Sequence, residues 1–175
     1  MKRIALVLLA LGFLAAGSAS AQIIQAETLP SRPLSLSGPR IGMTMLARGE
    51  ALDSLRSHYE RDVSGTITQI GWQFEQRFYA DQTNGLAALS EIVVLVGGLE
   101  QNMFLPSLSW LAGLRTGQGF EVGAGPNLSL TGVGLTVAAG ATLQVGRLNL
   151  PIHFAFVPSP RGSRTSLLAG FSLDR

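Results

Sequence analysis

The residues that most often carry catalysis or bind metals are scarce in this sequence. It has no cysteine and two histidines among its 175 residues. His58 has Glu60 and Asp62 close by, but a structural zinc site needs four ligands, more than this segment offers. His153 stands in a segment of alternating residues, where we expect it to join a polar network rather than to act as a base. We therefore predict no metal site, no cofactor and no catalytic residue.

Two glycine pairs have the spacing that begins a phosphate-binding loop. They are Gly117-Gln-Gly119 and Gly123-Ala-Gly125. A dinucleotide fingerprint needs a third glycine and a helix that follows the loop, and neither pair has them. No P-loop, HExxH or GxSxG pattern is present. These absences favour a non-enzymatic protein.

Apolar and polar residues alternate through most of the chain from Arg40 onward, a pattern typical of β-strands with two different faces. In "TITQIGWQFEQRF", for example, Ile70 and Trp72 share one face while Gln69 and Gln73 share the other. Turn signals such as "DQTNG" separate the runs, most of which approach the ~9–11 residues of a tilted membrane strand. We predict an all-β fold, a single antiparallel up-and-down β-barrel of about eight strands.

One segment, Gly49 to Tyr59, has helical spacing, with Leu52 and Leu55 in phase with Tyr59. It predicts a short helix in the first loop that packs through a narrow apolar stripe. The alternative is a plug or docking helix, and the sequence leaves open whether the helix lies outside or inside the barrel. We expect residues 48–64 to contact any envelope protein partner.

The identity of the inward face separates a soluble barrel from a membrane barrel. A soluble sheet puts its apolar face toward the core, whereas a membrane barrel puts it toward lipid. The polar faces here are rich in glycine, serine, threonine, alanine and asparagine, which suits the crowded interior of a small barrel. We therefore predict that the apolar faces contact a lipid bilayer.

Charged residues make up 14% of the chain, against about 25% in ordinary soluble domains. Those within the strands share the small-residue face. They and the second histidine form a predicted lumenal charge network of Arg40, Glu75, Arg77, Glu91, Arg115, Glu121, His153 and Arg164. Buried charges must be paired, and four arginines here meet three glutamates. The alternative is that these are scattered exposed charges of a soluble sheet.

Aromatic residues often fall near the apparent strand ends, as in the aromatic girdles at membrane interfaces. The predicted lipid-facing or interfacial aromatics are Trp72, Phe74, Phe78, Trp110, Phe120, Phe154, Phe156 and Phe171. Ordinary core packing is the alternative explanation for most of them.

The N-terminus has the layout of an export signal. A basic start, an apolar run and Ala19-Ser20-Ala21 predict a signal peptide over residues 1–21. A transmembrane anchor is the alternative, but the apolar run is short for one. Residues 22–39, rich in proline and serine, are predicted to be an extended linker before a barrel domain at 40–175.

The basic character of the whole chain comes from this leader. Of 13 Lys and Arg residues, the leader holds Lys2 and Arg3, so 11 basic and 11 acidic residues remain after cleavage. A balanced mature chain does not predict a nucleic-acid partner.

An export signal followed by eight alternating strands resembles small outer-membrane β-barrel proteins of Gram-negative bacteria. The resemblance covers residues 40–175 and is to the class rather than to a motif. The segment "ITQIGWQFEQRF" (Ile67 to Phe78) and the stretch from Gly119 look like segments of uncharacterised exported proteins of that kind. The resemblance implies location in the outer membrane. Such barrels usually end on an aromatic residue, whereas this chain ends on Asp174-Arg175.

Three functions remain open. The first is a non-enzymatic outer-membrane barrel with a lumen filled by side chains and a structural, adhesive or envelope-integrity role. The second is a soluble periplasmic barrel, lipocalin-like, that binds a lipid or other apolar ligand in its core. The third is a lipid-modifying barrel enzyme. Some small barrels that trim lipopolysaccharide acyl chains use a His-x-Ser pair, and here Ala155 stands where the serine would be.

Overall fold

The computed structural model describes residues 36–60, 62–81 and 85–173. The predicted signal peptide and most of the predicted linker therefore lie outside the described residues. The elements, numbered along the chain, are β1 (Gly38–Leu46), α1 (Glu50–Tyr59), β2 (Thr66–Asp81), β3 (Leu86–Gly97), β4 (Leu105–Arg115), β5 (Phe120–Ser129), β6 (Gly132–Val145), β7 (Leu148–Val157), β8 (Arg164–Gly170) and β9 (Ser172–Leu173).

The strands form one closed antiparallel barrel. Each strand from β1 to β7 pairs with the next along the chain, and β8 pairs back onto β1. The two residues of β9 continue the path of β8 beyond Phe171 and pair with β7. The predicted eight-stranded up-and-down barrel with one helix after its first strand is confirmed.

One irregularity interrupts the regular alternation of the barrel wall. Between β2 and β3 the register passes from Arg77 opposite Leu89 to Tyr79 opposite Ala88, which leaves Phe78 as the extra residue of a β-bulge. Both Phe78 and Tyr79 are consequently exposed, at 68% and 58%. The bulge thus places two neighbouring aromatic rings on the outer surface near the end of β2.

Several inward-facing glycines let the strands approach closely. A Cβ added at Gly71 would lie 1.9 Å from the carbonyl oxygen of Val94, and one added at Gly125 would lie 1.9 Å from that of Trp110. No side chain fits at such distances. Glycine is therefore required at these two positions, where the neighbouring strand approaches most closely.

The barrel has two different ends. The helix end carries the first loop, residues 47–65, together with the connections at 98–104, 130–131 and 158–163. The terminus end carries the start of β1, the end of β9 and the connections between β2 and β3, β4 and β5, and β6 and β7.

Helix α1 packs over the helix end of the barrel. Leu52 and Leu55 are buried in a cluster with side chains from the ends of three strands, Leu46, Ile67 and Leu105. The backbone N–H of Ala51 also donates to the carbonyl of Arg161, which ties the helix start to the β7–β8 loop (2.8 Å). The helix therefore uses its narrow apolar stripe to cover the end of the lumen, where Leu55 lines the interior.

At the helix end, the β3–β4 loop is hydrogen-bonded to β2. Glu100, in a 3-10 turn at Leu99–Gln101, accepts hydrogen bonds from the backbone N–H of Thr68 (2.9 Å) and from its hydroxyl. Slight burial raises the pKa of Glu100, but these hydrogen bonds outweigh it and hold the pKa below the usual carboxyl value. The hydrogen bonds from Thr68 to Glu100 therefore stabilise the fold most at pH values above the usual carboxyl pKa. Their contribution to stability falls as the pH decreases through the lowered pKa of Glu100.

Among the described residues, no helix has the length and apolar character needed to cross a bilayer.

Candidate functional site in the barrel lumen

The residues predicted for the lumenal charge network all stand at inward positions of the strands. Arg40, Glu91, Arg115, Glu121 and His153 are buried. Glu75, Arg77 and Arg164 are partly buried as whole residues, and the side chain of Glu75 is 1% exposed. Most of these groups gather toward the terminus end, while Arg164 lies at the other end of the lumen.

Arg115 is the centre of the charged group at the terminus end. Its Nε donates to Glu121 Oε2 (2.7 Å) and its Nη1 donates to Glu75 Oε1 (2.8 Å). Its Nη2 contacts the second oxygen of Glu75 and Glu121 Oε2, and lies 3.8 Å from Glu91 Oε1. One guanidinium thus serves three carboxylates: it binds Glu75 in bidentate fashion, gives two N–H groups to one oxygen of Glu121, and lies beside Glu91.

Strand register brings these carboxylates together. Glu75 on β2 lies directly opposite Glu91 on β3, a pairing of like charges that is unfavourable by itself. Arg115 on β4 lies directly opposite Glu121 on β5. Ligand oxygens of the three glutamates lie within 4.8 Å of one another, the spacing that a metal ion would need. The Arg115 guanidinium bonds two of these carboxylates and lies beside the third, so it supplies the compensating positive charge.

A second arginine, Arg40 of β1, extends this group toward Leu36, which precedes β1. Arg40 is 2% exposed, and its Nε donates to Gln73 Oε1 (3.0 Å) while its Nη2 donates to the carbonyl of Leu36 (2.6 Å). Gln73 in turn donates through Nε2 to Glu91 Oε1 (2.6 Å). Sequence reasoning missed Gln73 as a member, although it lies on the polar face of β2 two residues before Glu75. We call Arg40, Gln73, Glu75, Glu91, Arg115, Glu121 and His153 the Arg115 network.

His153 reaches this network across an intervening strand. It lies on β7, Glu121 lies on β5, and Gly140 of β6 stands opposite both of them. His153 Nε2 is 3.4 Å from Glu121 Oε1. A Cβ at Gly140 would lie 1.9 Å from His153 Cδ2, so only glycine leaves room for the ring. Gly140 therefore determines that His153 can approach Glu121.

Replacing Gly140 with alanine is expected to destabilise the barrel by about 1–3 kcal/mol, as for other overpacked cores. The added methyl group would occupy the space of the His153 ring. Denaturant unfolding of the G140A variant measures this loss. His153→Ala in the same chain removes the clash with the ring and leaves only the carbonyl oxygen of Ile152 close to the added Cβ (2.8 Å), so the double variant should be less destabilised than the sum of the two single variants. Additive effects would contradict the steric explanation.

The structure separates Arg164 from the Arg115 network. Its Nη2 donates to Asn127 Oδ1 (2.9 Å), and its Nη1 donates to Thr131 Oγ1 (2.7 Å) and contacts the Ser129 hydroxyl. Asn127 also donates to the hydroxyl of Ser109 (2.9 Å). We call Arg164, Asn127, Ser129 and Thr131 the Arg164 cluster. Asn127-Leu-Ser129 matches a glycosylation sequon, but Asn127 is 5% exposed and points into the lumen.

A cavity of about 100 Å³ lies between the two groups of polar residues. Its lining includes Glu121 and His153 from the Arg115 network, Arg164, Leu55 of α1, and apolar wall residues such as Leu111. The lumen is therefore divided into a charged layer, a small cavity of mixed polarity and an apolar cover formed by α1.

The predicted outer aromatics occupy the exposed face of the wall. Their exposed fractions run from 38% for Phe156 to 68% for Phe78. The full set in this position is Trp72, Phe74, Phe78, Trp110, Phe120, Phe154, Phe156 and Phe171. Tyr79 and Phe104, which also fall near strand ends, are exposed as well, at 58% and 60%.

Comparison with known proteins does not assign this chain to a family. No protein-family model matches the chain, and no curated protein matches it. A solved structure described as "De novo design of transmembrane beta-barrels" is similar to this chain with a TM-score of 0.44 and 14% sequence identity. The match covers 81% of this chain and 98% of the other.

Proposed function

We propose that this chain is a non-enzymatic β-barrel of the Gram-negative outer membrane, with a lumen closed by side chains and a structural role in the cell envelope. The observation that carries the proposal is the outer surface of the barrel. None of the exposed residues in the described strands is charged, and most are large and apolar.

The extent of this apolar surface is unusual for a water-soluble protein. On β6 alone, Val133, Leu135, Val137, Leu143 and Val145 are each at least 50% exposed. Similar rows occur on the other strands, so the apolar belt surrounds the barrel. Soluble monomers rarely expose a continuous apolar patch above a few hundred Å². A hydrocarbon environment removes this cost, which supports a membrane location.

A polar group on the belt is satisfied within the protein. Trp110 is 59% exposed, and its indole Nε1–H donates to the hydroxyl of Ser90 on the neighbouring strand (2.9 Å). An indole N–H facing lipid without an acceptor would be costly. This internal hydrogen bond therefore fits an outward tryptophan in a membrane barrel.

The interior supports a closed barrel rather than an open pore. The Arg115 network fills one end of the lumen and α1 covers the other. Eight-stranded barrels have interiors only wide enough for side chains to fill. Such a protein contributes a stable element to the membrane without conducting solutes.

The two other candidate functions find less support. A lipocalin-like carrier requires the apolar strand faces to line the core, whereas these faces lie outside in the structure, and this placement counts against that alternative. A lipid-modifying enzyme needs a nucleophile near its histidine. His153 faces Glu121, and the next inward residue on β7 is Ala155.

We also propose that residues 48–64 form the surface for an envelope protein partner. The apolar stripe of α1 is buried against the barrel, so contact would use its outer face. That face presents Glu50, Asp53 and His58 as exposed side chains.

Cell fractionation tests the location. The full chain, produced in a Gram-negative host, should sediment with the outer membrane, and its gel mobility should change on boiling. A variant lacking residues 1–21 serves as the control and should remain in the cytoplasm. Release of the full chain into the periplasmic fraction, with the same mobility before and after boiling, would rule out the proposal.

A further inference from the structure

Arg164 differs from the other lumenal arginines in its partners. Its side-chain hydrogen bonds go to Asn127, Ser129 and Thr131, which are all neutral. Within the described part of the chain, no carboxylate lies within ion-pair distance of Arg164. A guanidinium carries five N–H donors and a full positive charge, so these neutral partners leave its charge uncompensated. A half-buried cation in this setting favours an anion beside it.

The space beside Arg164 is the lumenal cavity, which it lines. On β6, Gly134 makes room for the Val157 side chain, because a Cβ there would lie 2.7 Å from Val157 Cγ1; the same position would be in ordinary contact with Arg164 Nη2, at 3.6 Å. Thr136 is the next inward residue of β6, about 7 Å further along the strand. It is 3% exposed, lines the same cavity, and its hydroxyl has no hydrogen-bond partner in the structure. A second donor thus faces the cavity next to the arginine.

Part of the cavity wall is apolar, while Ser109, Glu121 and His153 are among the polar residues that also line the cavity. Val93, Leu111, Val157 and Leu168 line the cavity and are each at most 7% exposed. The volume of about 100 Å³ has room for roughly three water molecules or a solute of similar size. The apolar part of the wall can pack against a short alkyl chain, and it offers no donors to the additional acceptor oxygens of phosphate or sulfate.

We propose that the lumenal cavity is a binding site for a small aliphatic carboxylate of about three or four carbons. Its carboxylate accepts hydrogen bonds from Arg164 and from the Thr136 hydroxyl, and its alkyl chain packs among Leu111, Leu168 and Val157. The turn between β5 and β6, whose Leu130 and Thr131 line the cavity, offers the route of entry beside α1. This site depends on the barrel lumen alone and not on the location of the barrel in the cell.

Titration of the full barrel in detergent with ¹³C-labelled butyrate, followed by NMR, tests the proposal. We expect saturable binding that weakens roughly tenfold or more in Arg164→Gln, because a charge-assisted bond is lost. Thr136→Val should weaken binding by a smaller factor. Arg161→Gln, which changes an exposed arginine in the β7–β8 loop, is the matched control and should bind as the unchanged chain does.

Two further arms keep the test decisive. Ala155→Leu fills the cavity and leaves Arg164 and its bonded partners unchanged, so it should abolish binding even if Arg164→Gln fails to fold. Inorganic phosphate and butanol test the anion and the alkyl part separately, and each should bind more weakly than butyrate. Absence of saturable butyrate binding by a folded barrel would overturn the proposal. So would equal binding of phosphate, or unchanged butyrate binding by folded Ala155→Leu.

Discussion

Replacing Arg115 with methionine is expected to lower the free energy of unfolding of the barrel by about 3–5 kcal/mol, as when one partner of a buried ion pair is removed. Methionine keeps much of the side-chain length and apolar stem but has no charge. Glu75, Glu91 and Glu121 would then remain buried and close together without the cation that lies between them. Denaturant unfolding of the barrel in detergent or lipid vesicles measures the effect.

Arg48→Met is the matched control for this substitution. Arg48 is an exposed residue of the first loop, and the same chemical change there should alter the free energy of unfolding by less than about 0.5 kcal/mol. In the Arg115→Met chain, changing Glu75 and Glu121 to glutamine as well should recover part of the lost stability, because two of the uncompensated charges are removed. A loss no larger than that of Arg48→Met would contradict the central role of Arg115.

Replacing Val137 with arginine is expected to destabilise the barrel in a bilayer by about 2–4 kcal/mol, the usual cost of an arginine facing lipid at mid-depth. Val137 lies near the middle of β6 and is 50% exposed on the outer face. Unfolding titrations in lipid vesicles measure this cost. The experiment probes the environment of the belt directly, because the same substitution on a water-exposed wall would be tolerated.

Val145→Arg is the control for position along the strand. Val145 is on the same strand and the same face, 64% exposed, but at the strand end, where an arginine can reach the interface. Its expected cost is about 0–1 kcal/mol. Equally small losses for the two variants would indicate that the belt faces water and would contradict the membrane proposal.

The architecture of the barrel followed from the sequence because its signals are local. Strict alternation in segments such as β5 and β6 makes every second residue share a face, whatever the rest of the chain does. Turn residues at the strand ends then favour pairing of neighbours in the chain, which is what an up-and-down barrel is. The same reasoning placed the charged residues on one face, since an apolar and a small polar face are visible in the one-dimensional pattern.

The partners of the charged residues depend on the strand stagger around the closed barrel, which no local pattern contains. Arg164 and Arg115 belong to the same face in the sequence, yet closure puts them in different layers of the lumen. His153 can approach Glu121 only because Gly140, which lies between them, has no side chain. The registers of β6 with β5 and with β7 place Gly140 there. The hydrogen bonds of Asn127 and Gln73 to the lumenal arginines could not be predicted for the same reason. The partner of an uncharged residue on a polar face can be identified only when the strand register is known.

The sequence by itself therefore determined the strands, their faces and the inward position of the charges, because alternation and composition act within single segments. The tertiary structure decided which charges meet, where the cavity lies, and that α1 covers the lumen through Leu52 and Leu55. These features arise from contacts between residues far apart in the chain. Their energies depend on distance and burial, which only the closed barrel defines.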